Sequence, residues 1–363
     1  MKITMLEIAK LSQGSMILGC GGGGDFDEGY NTALKAIESG EVELISLEEL
    51  ETRGEDGVIV TISGVGSPAS EEAYYSTDVY PVILNALQEK IGKKIIGFIA
   101  CEIGASSTFE PFIPAAIMGV PVIDAPCDGR AHPLGLMGAL GLEKKGEPVW
   151  QSAAGGKKES GKYLEMTVSA SVETASNLVR NAASAAGGAV AVARNPVTLE
   201  WLKESGAKGA YQQTMQLGTL WNSDEPVHIK SQKLAEALGG EIVCAGEVTD
   251  FELNTDNALD RGSFKIKGNG KTCEMHFFNE YMTLDVDGQR YSTFPDVMIT
   301  IDAASGVPLS TAAIENGKEV ILITSSHNNV VLGRGLRYRA AYERVQEIIG
   351  VNMVDYIEDI LLD

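Results

Sequence analysis

One short segment of the sequence gathers the residue types that carry out chemistry. The apolar run Val120 to Ile123 predicts a buried strand. Five reactive side chains follow it directly: Asp124, Cys127, Asp128, Arg130 and His132. Zinc accepts sulfur, nitrogen and oxygen ligands, and a loop can bring such side chains to one point. Four of the five are therefore candidate metal ligands: Asp124, Cys127, Asp128 and His132.

Each of these side chains also has an ordinary structural explanation. Asp124, two residues before Pro126, is typical of a turn. A lone cysteine such as Cys127 is more often a small buried hydrophobe than a nucleophile or a ligand, and His132 fits an ordinary loop histidine. Their occurrence together at one strand end, rather than any single residue, favours a functional cluster.

A second strand end repeats the pattern. The run Lys94 to Ala100 predicts a strand, and Cys101 and Glu102 follow it before a loop of small residues. Open α/β sheets bind ligands at the carboxyl ends of their strands. We therefore expect this strand end to contribute to the same site.

Two glycine-containing loops are candidates for substrate contact. The first is an unbroken run between two helical patterns: Gly21, Gly22, Gly23 and Gly24. A helix rather than a strand precedes it, which excludes a dinucleotide fingerprint, and no Gly-Lys-Ser/Thr follows, which excludes a P-loop. Its backbone N–H groups form a candidate anion-binding nest, and a turn that lets two helices pack closely is the alternative. The second loop, Ser63 to Pro68, follows an apolar strand, so Ser63 and Gly64 are predicted to face a ligand.

The elements that position these residues change character along the chain. Through the first half, helical patterns such as Leu6 to Leu18 alternate with short apolar runs, which predicts an α/β domain with a largely parallel sheet. From Glu241 to about Ile323, strand patterns with hairpin turns predict a mainly antiparallel β domain. We place the α/β domain at 1–225, the β domain at 226–336 and a closing helical segment at 337–363.

The composition excludes several classes of protein. A formal net charge of −21, with 50 acidic and 29 basic residues, opposes binding to nucleic acid. The chain shows neither a signal-peptide pattern nor an apolar run of about 18 residues, so we expect a cytoplasmic protein that does not enter membranes. Five cysteines at irregular spacing do not form a disulfide framework. A homo-oligomer remains an open alternative.

Several segments taken together resemble one protein family. They are LGCGGGGD, EIGASS, PVIDAPCDGRAHP and the later NEYM, FPDVMITID, SGVPLS and NGKEVILI. In this collinear order they resemble the S-methyl thiohydantoin desulfurase family, formerly listed beside hydantoinase and oxoprolinase proteins. The resemblance covers about residues 5 to 340. It implies an N-terminal α/β domain, a C-terminal β domain and hydrolysis of a thiohydantoin-type ring, which releases a thiol and leaves a hydantoin.

That reaction assigns a role to each candidate residue. A zinc-like divalent metal would lower the pKa of a bound water to about 7, and Glu102 is the candidate general base. Arg130 is a candidate clamp for a substrate carboxylate, with a structural salt bridge to Asp124 or Asp128 as its alternative. Backbone N–H groups of the glycine run would serve as an oxyanion hole.

Two alternatives to a metal-assisted hydrolase remain open. In the first, Cys127 is a covalent nucleophile activated by His132 without a metal, in a hydrolase of a related cyclic amide. In the second, the protein binds or senses a small molecule without catalysis. In all three hypotheses the protein binds a small heterocyclic molecule.

Overall fold

The structure, a computed structural model, describes residues 1–66, 72–256 and 259–362. The α-helices are α1 (Met5–Gly19), α2 (Phe26–Ser39), α3 (Leu47–Arg53), α4 (Val79–Ile91), α5 (Phe112–Met118), α6 (Val172–Ala185), α7 (Leu199–Ser205), α8 (Ala210–Trp221), α9 (Val227–Ala237) and α10 (Arg339–Ile349). The strands of the first sheet are β1 (Leu44–Ile45), β2 (Val58–Gly66), β3 (Ile95–Ala100), β4 (Val122–Ile123), β5 (Val149–Gly155), β6 (Leu164–Ala170) and β7 (Ala189–Val197). The strands of the second sheet are β8 (Glu241–Asp256), β9 (Leu259–Gly268), β10 (Lys271–Phe278), β11 (Glu280–Val286), β12 (Gln289–Thr293), β13 (Val297–Asp302) and β14 (Glu319–Ser325).

The first sheet is mixed, which corrects the prediction of a largely parallel sheet. Its strand order is β1-β4-β3-β2-β7-β5-β6. The first four strands pair in parallel, whereas β2–β7, β7–β5 and β5–β6 are antiparallel. The reason is local, because β5 and β6 are joined by the short segment 156–163, which permits only an antiparallel pair. Helix α6 then connects β6 to β7, which pairs with the other edge of β5. Strands β6 and β7 therefore run in the same direction, on either side of β5.

The second sheet confirms the prediction of a mainly antiparallel β region. Its seven strands, in the order β12-β11-β10-β9-β8-β14-β13, pair only in the antiparallel sense. The turn between β9 and β10 places Asn269 and Gly270 at φ 53° and 72°, and Asp287 and Gly288 repeat this at 50° and 78° between β11 and β12. Asn, Asp and Gly adopt these left-handed conformations at little cost, which is why these sequences form hairpins.

Helix α1 begins with a capping box. The Thr4 side chain accepts a hydrogen bond from the backbone N–H of Leu6, and the Glu7 carboxylate accepts one from the backbone N–H of Thr4. The buried face of the helix, with Ile8 and Leu11, joins a core that contains Phe98 of the first sheet and Ile299 of the second. The two sheets therefore share one hydrophobic core, with α1 between them.

Backbone hydrogen bonds also join the C-terminal part of the chain to the segment directly after α1. The N–H of Tyr281 donates to the carbonyl of Cys20 at 2.9 Å, and the N–H of Thr311 donates to the carbonyl of Gly21 at 2.8 Å.

Among residues 1–66, 72–256 and 259–362, no helix combines the length and apolar character needed to cross a membrane.

Candidate functional site

The carboxyl ends of β3 and β4 bring the two predicted segments together. These neighbouring parallel strands are followed by Cys101 and Asp124. Beyond the strands, the N–H of Cys127 donates to the backbone carbonyl of Ala100 at 2.9 Å. The N–H of Ile103 donates to the backbone carbonyl of Asp128 at 3.1 Å. Sequence separation is therefore no barrier to a shared site, and most of the predicted cluster forms here.

His132 lies between two carboxyl groups. Its Nδ1 is 3.1 Å from Oε2 of Glu102 and 3.1 Å from Oδ2 of Asp128, without the alignment of a hydrogen bond to either. The backbone N–H of His132 donates to Glu102 at 2.9 Å, and Oδ1 of Asp128 accepts from the N–H of Gly333 at 3.1 Å. Burial opposes the charged imidazole, but Glu102 and Asp128 raise the pKa of His132 well above its usual value.

Cys101 is the thiol that this arrangement activates. Its Sγ accepts a hydrogen bond from Nη2 of Arg194 at 3.0 Å and lies 4.0 Å from Nε2 of His132. A hydrogen bond from Cys127, together with these two cations, holds the pKa of Cys101 well below its usual value against the effect of burial. These contacts therefore favour ionisation of Cys101 over that of the neighbouring thiol.

Cys127, which the sequence singles out, is the neutral partner. It is fully buried, and its Sγ is 3.4 Å from Oγ1 of Thr61. Burial and the neighbouring Cys101 thiolate raise the pKa of Cys127 well above its usual value. Burial beside Cys101 therefore favours the neutral thiol of Cys127.

Asp124 lies apart from this group. Its Oδ1 accepts from the backbone N–H of Tyr211 at 2.7 Å, and its Oδ2 accepts from that of Gln212 at 3.3 Å. Burial raises the pKa of Asp124 to about 6 against these two hydrogen bonds. The carboxyl group thus holds the first turn of α8, where a negative charge interacts favourably with the helix dipole.

Arg130 is fully buried and reaches the second sheet. Its Nη1 donates to the carbonyl of Pro295 at 3.0 Å and to that of Asp296, and its guanidinium carbon lies 4.4 Å from the ring centroid of Phe294. Neither Asp124 nor Asp128 forms an ion pair with it in the described part of the chain. Its Nη2 has no hydrogen-bond partner there either, so this nitrogen is the part of Arg130 that remains for a ligand.

The glycine run packs where the two sheets meet. A Cβ on Gly22 would overlap Oε1 of Glu280, and a Cβ on Gly23 would lie 2.5 Å from the Cα of Gly104. Only glycine permits these approaches. Glu280, the first residue of β11, was not identified from the sequence. It is 2% exposed, and burial raises its pKa to about 8.

The second predicted loop contributes one side chain to the buried polar region. The N–H of Gly64 donates to Oε1 of Glu110 at 2.6 Å, so it already has a partner. The hydroxyl of Ser63 is buried and has none within the described residues. Ser67 and Pro68, the end of this predicted loop, lie outside the described residues.

Several buried polar atoms around the site lack a hydrogen-bond partner within the described ranges. Apart from Asp128 Oδ2 and His132 Nδ1, which face each other at 3.1 Å, they are Ser63 Oγ, Glu110 Oε2, Arg130 Nη2, Gln151 Oε1, Arg194 Nε and Glu280 Oε2. Buried polar atoms in folded proteins are nearly always paired. A concentration of unpaired ones near a thiolate indicates a site for a small polar ligand.

These residues do not fit the predicted zinc ion. Of the residues that the structure describes, no three or more His, Cys, Asp or Glu side chains are arranged to hold a metal. The carboxyl group of Asp124 accepts hydrogen bonds from the first turn of α8, and the sulfur of Cys101 already contacts the cationic guanidinium of Arg194. We therefore derive no step through a metal.

The comparisons with known proteins now identify the family. The model of the S-Me-THD-like N-terminal domain matches residues 6–160, and that of the S-Me-THD-like C-terminal domain matches residues 170–338. The chain belongs to this family. The resemblance to S-methyl thiohydantoin desulfurases, seen in the sequence, is thereby confirmed.

One solved structure supports the fold of this S-Me-THD-like protein. The crystal structure of a protein from Chromobacterium violaceum superposes with a TM-score of 0.71 at 16% sequence identity, and the match covers 96% of each chain. At this identity the likeness concerns the fold alone. No curated protein matches the chain.

Proposed function

We propose that this protein hydrolyses an S-methyl thiohydantoin-type ring, with Cys101 as a covalent nucleophile. The observation that carries the proposal is the contact of Cys101 with Arg194 and His132, because cationic groups beside a buried thiol favour its thiolate form. A thiolate, not a thiol, is the reactive form of cysteine. The family to which the chain belongs, which is named for thiohydantoin, supplies the substrate class.

The first half of the reaction exchanges one sulfur for another. The Sγ of Cys101 attacks the ring carbon that bears the S-methyl group, and the electrons of the C=N bond move to nitrogen. The imidazolium of His132 gives its proton to that nitrogen. The C–S bond to the methyl sulfur then breaks with its electron pair going to that sulfur, and the C=N bond re-forms as nitrogen returns its proton to His132.

The second half replaces the Cys101 sulfur with oxygen. Water attacks the same ring carbon while Glu102 takes one of its protons. Cys101 then leaves as a thiolate, and the remaining hydroxyl proton moves to the ring nitrogen to give the hydantoin carbonyl. Burial raises the pKa of Glu102, which brings this carboxylate closer to the basicity that proton transfer requires.

Turnover of a synthetic S-methyl thiohydantoin tests this proposal. We expect the purified protein to release methanethiol and hydantoin in equal amounts, as measured by chromatography. Cys101→Ala should reduce kcat/KM by roughly 10³-fold or more because the nucleophile is lost. Cys127→Ala, the matched control, removes only a hydrogen-bond donor and should retain measurable turnover.

Two other outcomes would contradict the proposal. A wild-type protein that binds the ring without converting it would indicate a binding or sensing role. Activity that is lost on chelation and returns in proportion to added zinc would instead support the metal-assisted reaction. We expect chelators to leave turnover unchanged, with metal content measured on the same samples.

A further inference from the structure

Glu280 is held rigidly at the junction of the two sheets. The carbonyl of the preceding residue, Asn279, accepts from Oγ1 of Thr311 at 2.8 Å, and the N–H of the following Tyr281 donates to Cys20 at 2.9 Å. Glu280 is 2% exposed, and its carboxyl group occupies the space where a side chain at position 22 would project. Its position is therefore fixed by the backbone on both sides and by the glycine run.

One oxygen of this carboxyl group remains without a partner. Oε2 of Glu280 is buried and has no hydrogen-bond partner among the residues that the structure describes. An unpartnered buried carboxyl oxygen costs free energy unless a ligand or water meets it. This oxygen is therefore available to a water molecule or a bound ligand.

The charges that surround Glu280 belong to the proposed site. They come from Glu102 after β3, from Arg130 and His132 after β4, and from the thiol of Cys20 at the end of α1. Burial, with Glu102, raises the pKa of Glu280 to about 8, while His132 and Arg130 oppose this. The buried carboxyl group therefore retains its proton to higher pH than an exposed glutamate does.

We propose that Glu280, contributed by the second sheet, is the acid that protonates the departing sulfur. The inference rests on the proposed function and adds a catalytic residue to it. The C–S bond breaks, its electron pair goes to the methyl sulfur, and that sulfur takes the proton of Glu280 to leave as methanethiol. The proton that Glu102 later takes from water returns to Glu280 and restores the starting state.

The dependence of rate on the leaving group tests this role. An S-methyl leaving group is strongly basic and needs an acid, whereas an S-(4-nitrophenyl) group leaves readily as an anion. We expect Glu280→Gln to lower kcat for the S-methyl substrate by about 10²-fold to 10⁴-fold. The same variant should convert the S-(4-nitrophenyl) substrate within about threefold of the wild-type rate.

Glu110→Gln is the matched control. Glu110 is also a largely buried carboxyl group with an unpartnered oxygen, and its other oxygen binds the N–H of Gly64. Substitution there should change the rates for both substrates by a similar factor. An equal loss on both substrates in Glu280→Gln as well would overturn the proposal, since it would indicate a positioning role only.

The wild-type pH profile provides an independent measurement if Glu280→Gln fails to fold. The kcat for the S-methyl substrate should fall at alkaline pH as Glu280 loses its proton, and that for the S-(4-nitrophenyl) substrate should not. Identical profiles would overturn the assignment. A wild-type protein that converts neither substrate would instead refute the proposed function, so the two failures are distinguishable.

Discussion

Cys101 and Cys127 are the same side chain in the same buried region, and their neighbours make them differ. Arg194 and His132 face Cys101, whereas the hydroxyl of Thr61 lies beside Cys127. A hydrogen bond between the two sulfurs then favours one thiolate and one thiol, because two adjacent negative charges would repel. In this account Cys101 is the nucleophile, and Cys127 donates a hydrogen bond to it.

Alkylation rates test this division. The largest influence that lowers the pKa of Cys101 is the hydrogen bond from Cys127, so Cys127→Ala should raise that pKa. In wild type, labelling of Cys101 by iodoacetamide should already be at its maximum at neutral pH. In Cys127→Ala, the labelling rate should still rise between neutral pH and pH 9, as peptide mass spectrometry would measure.

Cys127→Ser is the control for this measurement. Its hydroxyl retains a donor, so the labelling profile should lie between those of wild type and Cys127→Ala. Profiles that coincide in all three proteins would contradict a hydrogen bond between the two sulfurs.

The sequence predicted part of this site for a physical reason. Glu102, Cys127, Asp128 and His132 follow two strands, and neighbouring parallel strands end at the same edge of a sheet. Arg194 was missed because it lies 93 residues from Cys101 along the chain, on a strand whose place in the sheet no local pattern specifies.

At the scale of elements, the glycine run forms a close-packed contact between the end of α1 and the C-terminal part of the chain, and we call this contact the joint. It follows α1 and meets the second sheet, where Gly21 accepts from the N–H of Thr311 and Gly22 faces Glu280. The expected anion-binding nest was based on its backbone N–H groups, whereas the described contacts show a close approach of two parts of the chain. The alternative, a turn that lets two helices pack closely, agrees with the contact between α1 and α2, and the run also packs against β11.

Substitution of Gly22 tests the joint. In Gly22→Ala the new methyl group would overlap Glu280, so we expect a loss of about 1–3 kcal/mol in the free energy of unfolding, together with reduced turnover. Denaturant unfolding and turnover measure the two effects.

Gly19→Ala is the matched control for this experiment. A Cβ there would lie 3.9 Å from the nearest atom, the Cα of Gly104, so stability and turnover should change little. The account of the joint would be wrong if Gly22→Ala were as stable and active as Gly19→Ala.

Element types were easier to predict than sheet order. Apolar periodicity predicted α1, and Asn-Gly and Asp-Gly turns predicted the hairpins of the second sheet. The mixed first sheet could not be predicted, because the strands β5 and β6 were not recognised. Several positions of β6 are only partly buried, which weakens the contrast that reveals a strand.

At the scale of the whole molecule, the site depends on both sheets. The first sheet supplies Cys101, His132 and Arg194, and the second supplies Glu280 and the carbonyl groups that bind Arg130. The hydrophobic core is continuous between the sheets. The proposed chemistry is therefore a property of the assembled chain rather than of one domain.

Detection of a covalent intermediate tests the central claim most directly. The reaction with S-methyl thiohydantoin would be stopped with acid and the peptides analysed by mass spectrometry, in wild type and in Glu102→Gln, where slower attack by water should let the intermediate accumulate. The account predicts that the peptide containing Cys101 gains the mass of the ring without methanethiol. Release of methanethiol by Glu102→Gln with Cys101 unmodified, or an adduct on Cys127 instead, would contradict it.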